Sequence, residues 1–118
     1  VGLALARETA ADEGVRIQTK VVDLERDGLP EGRFDLVACF HYRQRSLFPA
    51  IKESLTDGGF VLVELPTVRN LERNERPSKR WLADENELLT DLAGLKVLYY
   101  REGWFGDRHL ARMVARKG

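Results

Sequence analysis

The sequence predicts an α/β domain: a mainly parallel sheet with flanking helices, finished by a C-terminal antiparallel hairpin. Three observations carry this prediction. FDLVACF at 34–40 and FVLVEL at 60–65 are short, nearly unbroken apolar runs, the composition of strands buried on both faces of a parallel sheet. Between them, Leu47, Phe48, Ile51 and Leu55 recur at helical spacing, which makes a βαβ unit. Two further strand patterns, 95–102 and 109–117, are separated only by the GWFGD loop, and a loop that short implies an antiparallel pair.

Each element has its local reason. In residues 3–13, Leu3, Ala6 and Ala10 share one helical face, and Gly14 follows as a C-terminal cap. VRIQTKVV at 15–22 alternates Val15, Ile17, Thr19 and Val21 with polar residues, the period of a strand. Residues 26–33, with two glycines and a proline, read as a loop. Ser46 is placed to cap the next helix, with Pro49 in its first turn, and Asp57-Gly58-Gly59 ends it near residue 56. The stretch 66–81 is polar and irregular. Asp84 and Glu87 have capping-box spacing ahead of Leu88, Leu89 and Leu92, and Gly94 stops that helix.

Composition narrows the function. Nineteen basic residues balance nineteen acidic ones, so the phosphate neutralisation that drives nucleic-acid binding is absent and no nucleic-acid partner is expected. No apolar run approaches the length of a membrane span, and no membrane partner is expected. The single cysteine, Cys39, excludes an internal disulfide and a cysteine-rich zinc site, and suits a reducing, cytoplasmic setting. His109 has no partner at ligand spacing, so no metal site is assigned. The chain starts at Val1 rather than Met, in what reads as the middle of a domain.

Several motifs together resemble the class I S-adenosylmethionine-dependent methyltransferases. VVDLE at 21–25 resembles the end of that family's third strand, and FDLVACF its fourth. LFPAIKESLTDGGFVLVE at 47–64 is similar to its next helix, glycine turn and fifth strand. ELPTVRNLE, the WL-x-x-x-x-EL start at Trp81 and the ending REG…HLARMVARK resemble a bacterial tellurite-resistance-type, small-molecule subgroup. The resemblance covers nearly the whole chain and implies a partial Rossmann-like methyltransferase sheet. One departure is large. The family's first strand and glycine-rich cofactor turn, and the acidic end of its second strand, have no counterpart here, since Gly58-Gly59 follows a helix. Residues 1–118 therefore read as the C-terminal portion of a single methyltransferase domain, inactive alone.

The resemblance implies S-adenosylmethionine as cofactor and a small-molecule methyl acceptor. It gives Asp23 and the Leu24 backbone to the adenine, with Cys39 and Phe40 beside the cofactor at the fourth strand's exit. Asp23 has a second reading, as a turn residue accepting local N–H groups, and Cys39 as a small buried hydrophobe. His41 and Tyr42 stand where an acceptor would meet the methyl group, and His41 has the chemistry of a general base. Arg43 is a candidate for binding an anionic substrate, or a solvated charge. Glu64 closes a buried run, where a carboxylate needs a partner, and it would orient substrate or pair with an arginine. Residues 69–80 interleave both charges and read as a solvated loop or lid; Trp81, Trp104 and Phe105 would close over a pocket or anchor loops. Two rivals remain: a methyltransferase-like interaction domain without cofactor, and another doubly wound fold such as a nucleotide-dependent oxidoreductase, which the terminal hairpin disfavours. If strand 15–22 pairs at all, it should run parallel to 34–41. Without its family neighbours it either collapses against 34–41 or leaves an exposed apolar edge, and such an edge invites self-association.

Overall fold

The computed structural model describes residues 2–75 and 78–118. Among the described residues, four helices, α1 (Gly2–Asp12), α2 (Leu24–Asp27), α3 (Phe48–Ser54) and α4 (Glu87–Asp91), accompany four strands. These are β1 (Phe34–Phe40), β2 (Leu55–Pro66), β3 (Lys96–Phe105) and β4 (Arg108–Arg116), in the sheet order β1-β2-β4-β3. β1 and β2 are parallel, while β4 runs antiparallel to both β2 and β3. Three strands thus point one way and β4 alone opposes them, the sheet and terminal hairpin that the sequence predicts. The carboxyl ends of β1, β2 and β3 consequently lie along one edge, together with the β3–β4 turn.

Alternation along β2 sets the core. Val61, Val63 and Leu65 are fully buried, and they pack with Ala111, Met113 and Ala115 of β4, Phe48 and Ile51 of α3, and Leu88 and Leu92 of α4. α3 and α4 therefore cover one face of the sheet. On the other face Leu36, Phe40, Phe60 and Tyr99 stay exposed. This corrects the expectation that 34–40 and 60–65 are buried on both faces: an apolar run supplies two faces, but here only one has a cover.

Other boundaries also differ from the sequence reading. Residues 15–22 form no strand and do not pair with 34–41, so β1 stays an edge strand. The α1 face is as expected, with Ala10 buried, and Gly14 adopts a positive φ as Val15 N–H closes back on Ala10. Ser46 is not the cap: a 3-10 turn at Arg45–Leu47 leads into α3. Asp57-Gly58-Gly59 is not a helix stop outside the sheet but an excursion within β2, where the register jumps from Phe34↔Leu55 to Leu36↔Phe60. A Cβ on Gly59 would lie 2.9 Å from the Thr56 carbonyl oxygen, so this excursion requires glycine. The expected capping box does not form. Asn86 precedes α4 with a left-handed backbone, and the Glu87 carboxylate is drawn to Arg43 instead. β3 runs on through Trp104 and Phe105, leaving Gly106-Asp107 as a two-residue turn with positive φ at Gly106. Among the described residues no helix is long and apolar enough to cross a membrane.

Candidate functional site

The common carboxyl edge carries an open cleft of about 870 Å³, bordered by His41, Pro66, Asn70, Arg73, Trp81 and Arg108. Its position follows from topology. His41 leaves β1, Pro66 ends β2, and Arg108 begins β4 just beyond the end of β3. Open α/β sheets bind ligands at this edge because loops diverge there and leave a crevice.

His41 is held in the cleft by both backbone and side chain. Its backbone takes a left-handed φ of 57°, and its N–H donates to the Glu64 carbonyl at 2.8 Å, extending the β1–β2 ladder by one step. Its Nε2 lies 2.6 Å from Glu64 Oε2. The other oxygen of Glu64 accepts from Arg112 Nε at 2.6 Å. Glu64 and Arg112 face each other in the β2–β4 register, and the Arg112 guanidinium rests 3.8 Å above the Phe105 ring. The His41 bond is the largest influence holding the Glu64 carboxyl below its ordinary value; partial burial opposes it and the Arg112 bond adds to it. Glu64 is therefore ionised at neutral pH and only accepts.

Tyr42 goes elsewhere. Its ring packs on the core, and its hydroxyl donates to Gln44 Oε1 at 2.6 Å. Burial, then the Glu25 and Asp23 charges, push its phenol up, so it stays neutral. The structure does not bring Tyr42 to the cleft beside His41. Arg43 is likewise engaged internally. Its fork grips both oxygens of the nearly buried Glu87 at 2.8 and 3.0 Å and its third contact is the Arg80 carbonyl, so it is a clamp between the β1 exit and α4 rather than a free anion trap. Glu64 pairs with arginine, the second of the two roles open to it.

Asp23 caps α2, its Oδ1 accepting from the backbone of Glu25 and Arg26. Leu24 packs partly against the core, and its carbonyl receives Gln44 Nε2 at 3.5 Å. Gln44, which the sequence reading passed over, thus ties the Asp23–Leu24 turn to the exit of β1. Cys39 is half-buried, and burial pushes its thiol up, with the Tyr42 backbone opposing this more weakly; its Sγ donates a weak bond to the Tyr42 carbonyl. It is an inert packing group. Phe40 is exposed on the uncovered face.

A second group missed from sequence lies in the interior and meets the cleft through Asn70. Thr67, Asn70 and His109 are all buried. Thr67 Oγ1 lies 2.6 Å from His109 Nδ1, and the Asn70 amide both donates to the His109 carbonyl and accepts from its N–H. Burial, then the Arg69 charge, hold the His109 imidazole below its ordinary value. Trp104 meets His109 edge-on and carries the Arg73 guanidinium at 3.7 Å, so Trp104 anchors the wall rather than closing over it. Trp81 does border the cleft. The lid expected at 69–80 lies partly outside the described residues; its described parts include 3-10 turns at Val68–Glu72 and Lys79–Trp81.

Sheet order, hairpin and carboxyl-edge cleft together match the Rossmann-like fold that methyltransferases use. TehB from Haemophilus influenzae superposes with a TM-score of 0.80 at 23% identity, over 98% of this chain and 46% of that one. An S-adenosylmethionine-dependent methyltransferase from Clostridium acetobutylicum gives 0.71 at 12% identity, over 98% and 71%. The N-methyltransferase NodS from Bradyrhizobium japonicum, in complex with S-adenosyl-L-homocysteine, gives 0.65 at 17% identity, over 97% and 61%. The chain thus spans less than half the length of TehB. No protein-family model and no curated protein sequence matches it.

Proposed function

We propose that this chain is the C-terminal portion of a domain that transfers a methyl group from S-adenosylmethionine to a small-molecule acceptor. The observation that carries the reading is the cleft at the carboxyl edge, with His41 held in it by Glu64. The likeness to methyltransferases over nearly the whole chain supports it.

The residues present fit one wall of a cofactor site. Asp23 Oδ2 has no partner among the described residues, and it stands exposed beside the Leu24 backbone, which suits an adenine amino group. Cys39 and Phe40 would border the site from opposite faces of the end of β1, Cys39 from the packed side and Phe40 from the uncovered one. When bound, S-adenosylmethionine supplies an electrophilic methyl carbon. His41 would face the acceptor and hold its proton, while Trp81 and Arg73 would limit where the acceptor lies. Alignment of this kind contributes much of the rate in a displacement. The glycine cradle and the ribose carboxylate have no counterpart in these residues, and the proposal assigns them to sequence outside the 118. The same assignment leaves β1 with an open edge, through which the chain alone should self-associate.

The test uses the complete product of the gene. Asp23→Ala should weaken cofactor affinity by about 1.5–3 kcal/mol, the range for a hydrogen bond to a charged acceptor, with little change in turnover at saturation. Equal affinities for the two proteins in calorimetry would show Asp23 to be a cap and nothing more.

A further inference from the structure

We propose that Arg112 is a positioning residue for proton removal: by clamping Glu64 it fixes the His41 ring with Nε2 protonated and Nδ1 bare toward the cleft. An ionised carboxylate only accepts hydrogen bonds, so the proton between Glu64 Oε2 and His41 Nε2, 2.6 Å apart, belongs to the ring nitrogen. In the neutral imidazole the lone pair is then on Nδ1, which has no hydrogen-bond partner among the described residues. Three restraints hold this orientation. The His41 backbone is tied to Glu64 at 2.8 Å, Glu64 is tied to Arg112 at 2.6 Å, and Arg112 is seated on Phe105. Glu64 and Arg112 belong to paired strands, so the clamp is rigid where a loop carboxylate would swing.

The arrangement narrows the acceptor class, a step that rests on the methyl-transfer reading. A bare Nδ1 serves an acceptor that still carries a proton: a hydroxyl, a thiol or an ammonium group. The acceptor's X–H bond breaks, the proton bonds to Nδ1, and the electron pair stays on X as the nucleophile. The imidazolium so formed lies against the Glu64 carboxylate. An acceptor that is already a proton-free anion would gain nothing from this device.

The test is a ring ¹⁵N spectrum of histidine-labelled protein, as the gene encodes it, at about pH 8.5, where an ordinary imidazole is neutral. His41→Gln assigns the signal. The wild type should show His41 as a single form protonated on Nε2. Arg112→Gln should convert it to a mixture of both tautomers, and Arg112→Lys, which keeps the charge but loses the planar fork, should fall between. The Glu64 carboxyl, followed by ¹³C, should titrate higher in Arg112→Gln. His109, fixed to Thr67 in the interior, reports whether the fold is intact. If His109 also shifts in Arg112→Gln, the milder Arg112→Lys carries the test: partial loss of the single tautomer supports the proposal, and no loss overturns it. A wild-type His41 protonated on Nδ1, or an unchanged tautomer in a folded Arg112→Gln, likewise overturns it. None of these readouts involves the cofactor, so this proposal and the methyl-transfer reading fail separately.

Discussion

β2 and the segment 15–22 differ in what surrounds them. β2 has β1 on one side and β4 on the other, and Val61, Val63 and Leu65 lose all contact with water. The segment 15–22 has no paired neighbour, and Ile17 remains 48% and Val21 88% exposed. Arg7 Nε on Thr19 is its one side-chain hydrogen bond among the described residues. Both stretches have side chains fit for a strand, and only one has partners. A backbone that extends without a ladder gains no hydrogen bonds to offset the entropy of ordering, which runs to about 1–2 kcal/mol per residue. Strand formation is thus a property of the pair.

The sharpest way to break this comparison is a matched truncation. Leu65→Ala, in the doubly paired strand, should cost roughly 3–5 kcal/mol, the range for cavities in well-packed cores. Ile17→Ala should fall within about 0.5 kcal/mol, as surface changes do. Urea unfolding of both variants measures the difference, and equal losses would mean that 15–22 is packed after all.

Next in size is the clamp that ties the β1 exit to α4. Arg43→Ala would leave Glu87, whose side chain is 4% exposed, without its partner. Breaking a buried pair from one side costs about 3–5 kcal/mol; since Arg43 itself is 19% exposed, a loss of roughly 2–3 kcal/mol is expected. Stability should recover partly in Arg43→Ala combined with Glu87→Met, because the orphaned charge is then gone.

The smallest effect is the response to acid. Burial opposes ionisation of Glu87, but the hydrogen bonds from Arg43 outweigh it, and the carboxyl ends below its ordinary value, as Glu64 does. A lowered folded value means the stabilisation is present above the unfolded value, near pH 4.3, and is lost as pH falls through the folded one. Asp91 works the other way. Burial, then the Glu87 charge, push it up, so its unfavourable contribution at neutral pH is relieved on acidification. Denaturation midpoints should therefore drop below about pH 4, and Glu87→Gln should flatten that drop. A drop of the same steepness in Glu87→Gln would remove Glu87 from the account.

Much of the fold was legible because its signals are local. The apolar runs, the stripe of Leu47, Phe48 and Ile51 and the short turn before β4 each fix an element from its own residues, although Leu55, read as the stripe's end, opens β2. What was not legible depends on register and on neighbours. Nothing in the sequence announces that Glu64 and Arg112 sit opposite each other, since pairing offsets of one residue change faces. His41 was legible as a candidate base from its place after an apolar run. Tyr42, the next residue, was named with it, although neighbours at a strand exit point in different directions. The partner of Arg43 is not legible, because Glu87, 44 positions later, has the spacing of half a capping box. Thr67, Asn70 and His109 come from two separated segments, so their network exists only once Thr67 and His109 are joined.

The central claim is that these residues form one wall of a methyl-donor site whose other wall lies in sequence outside them. Calorimetric titration of S-adenosyl-L-homocysteine into the 118-residue chain, beside the complete gene product, tests it most directly. Losing two or three charge-assisted hydrogen bonds, each about 1.5–3 kcal/mol, lowers affinity by roughly tenfold per 1.4 kcal/mol. The account predicts binding weaker than about millimolar for the chain alone and roughly micromolar binding for the complete protein. Micromolar binding by the 118 residues themselves would contradict it.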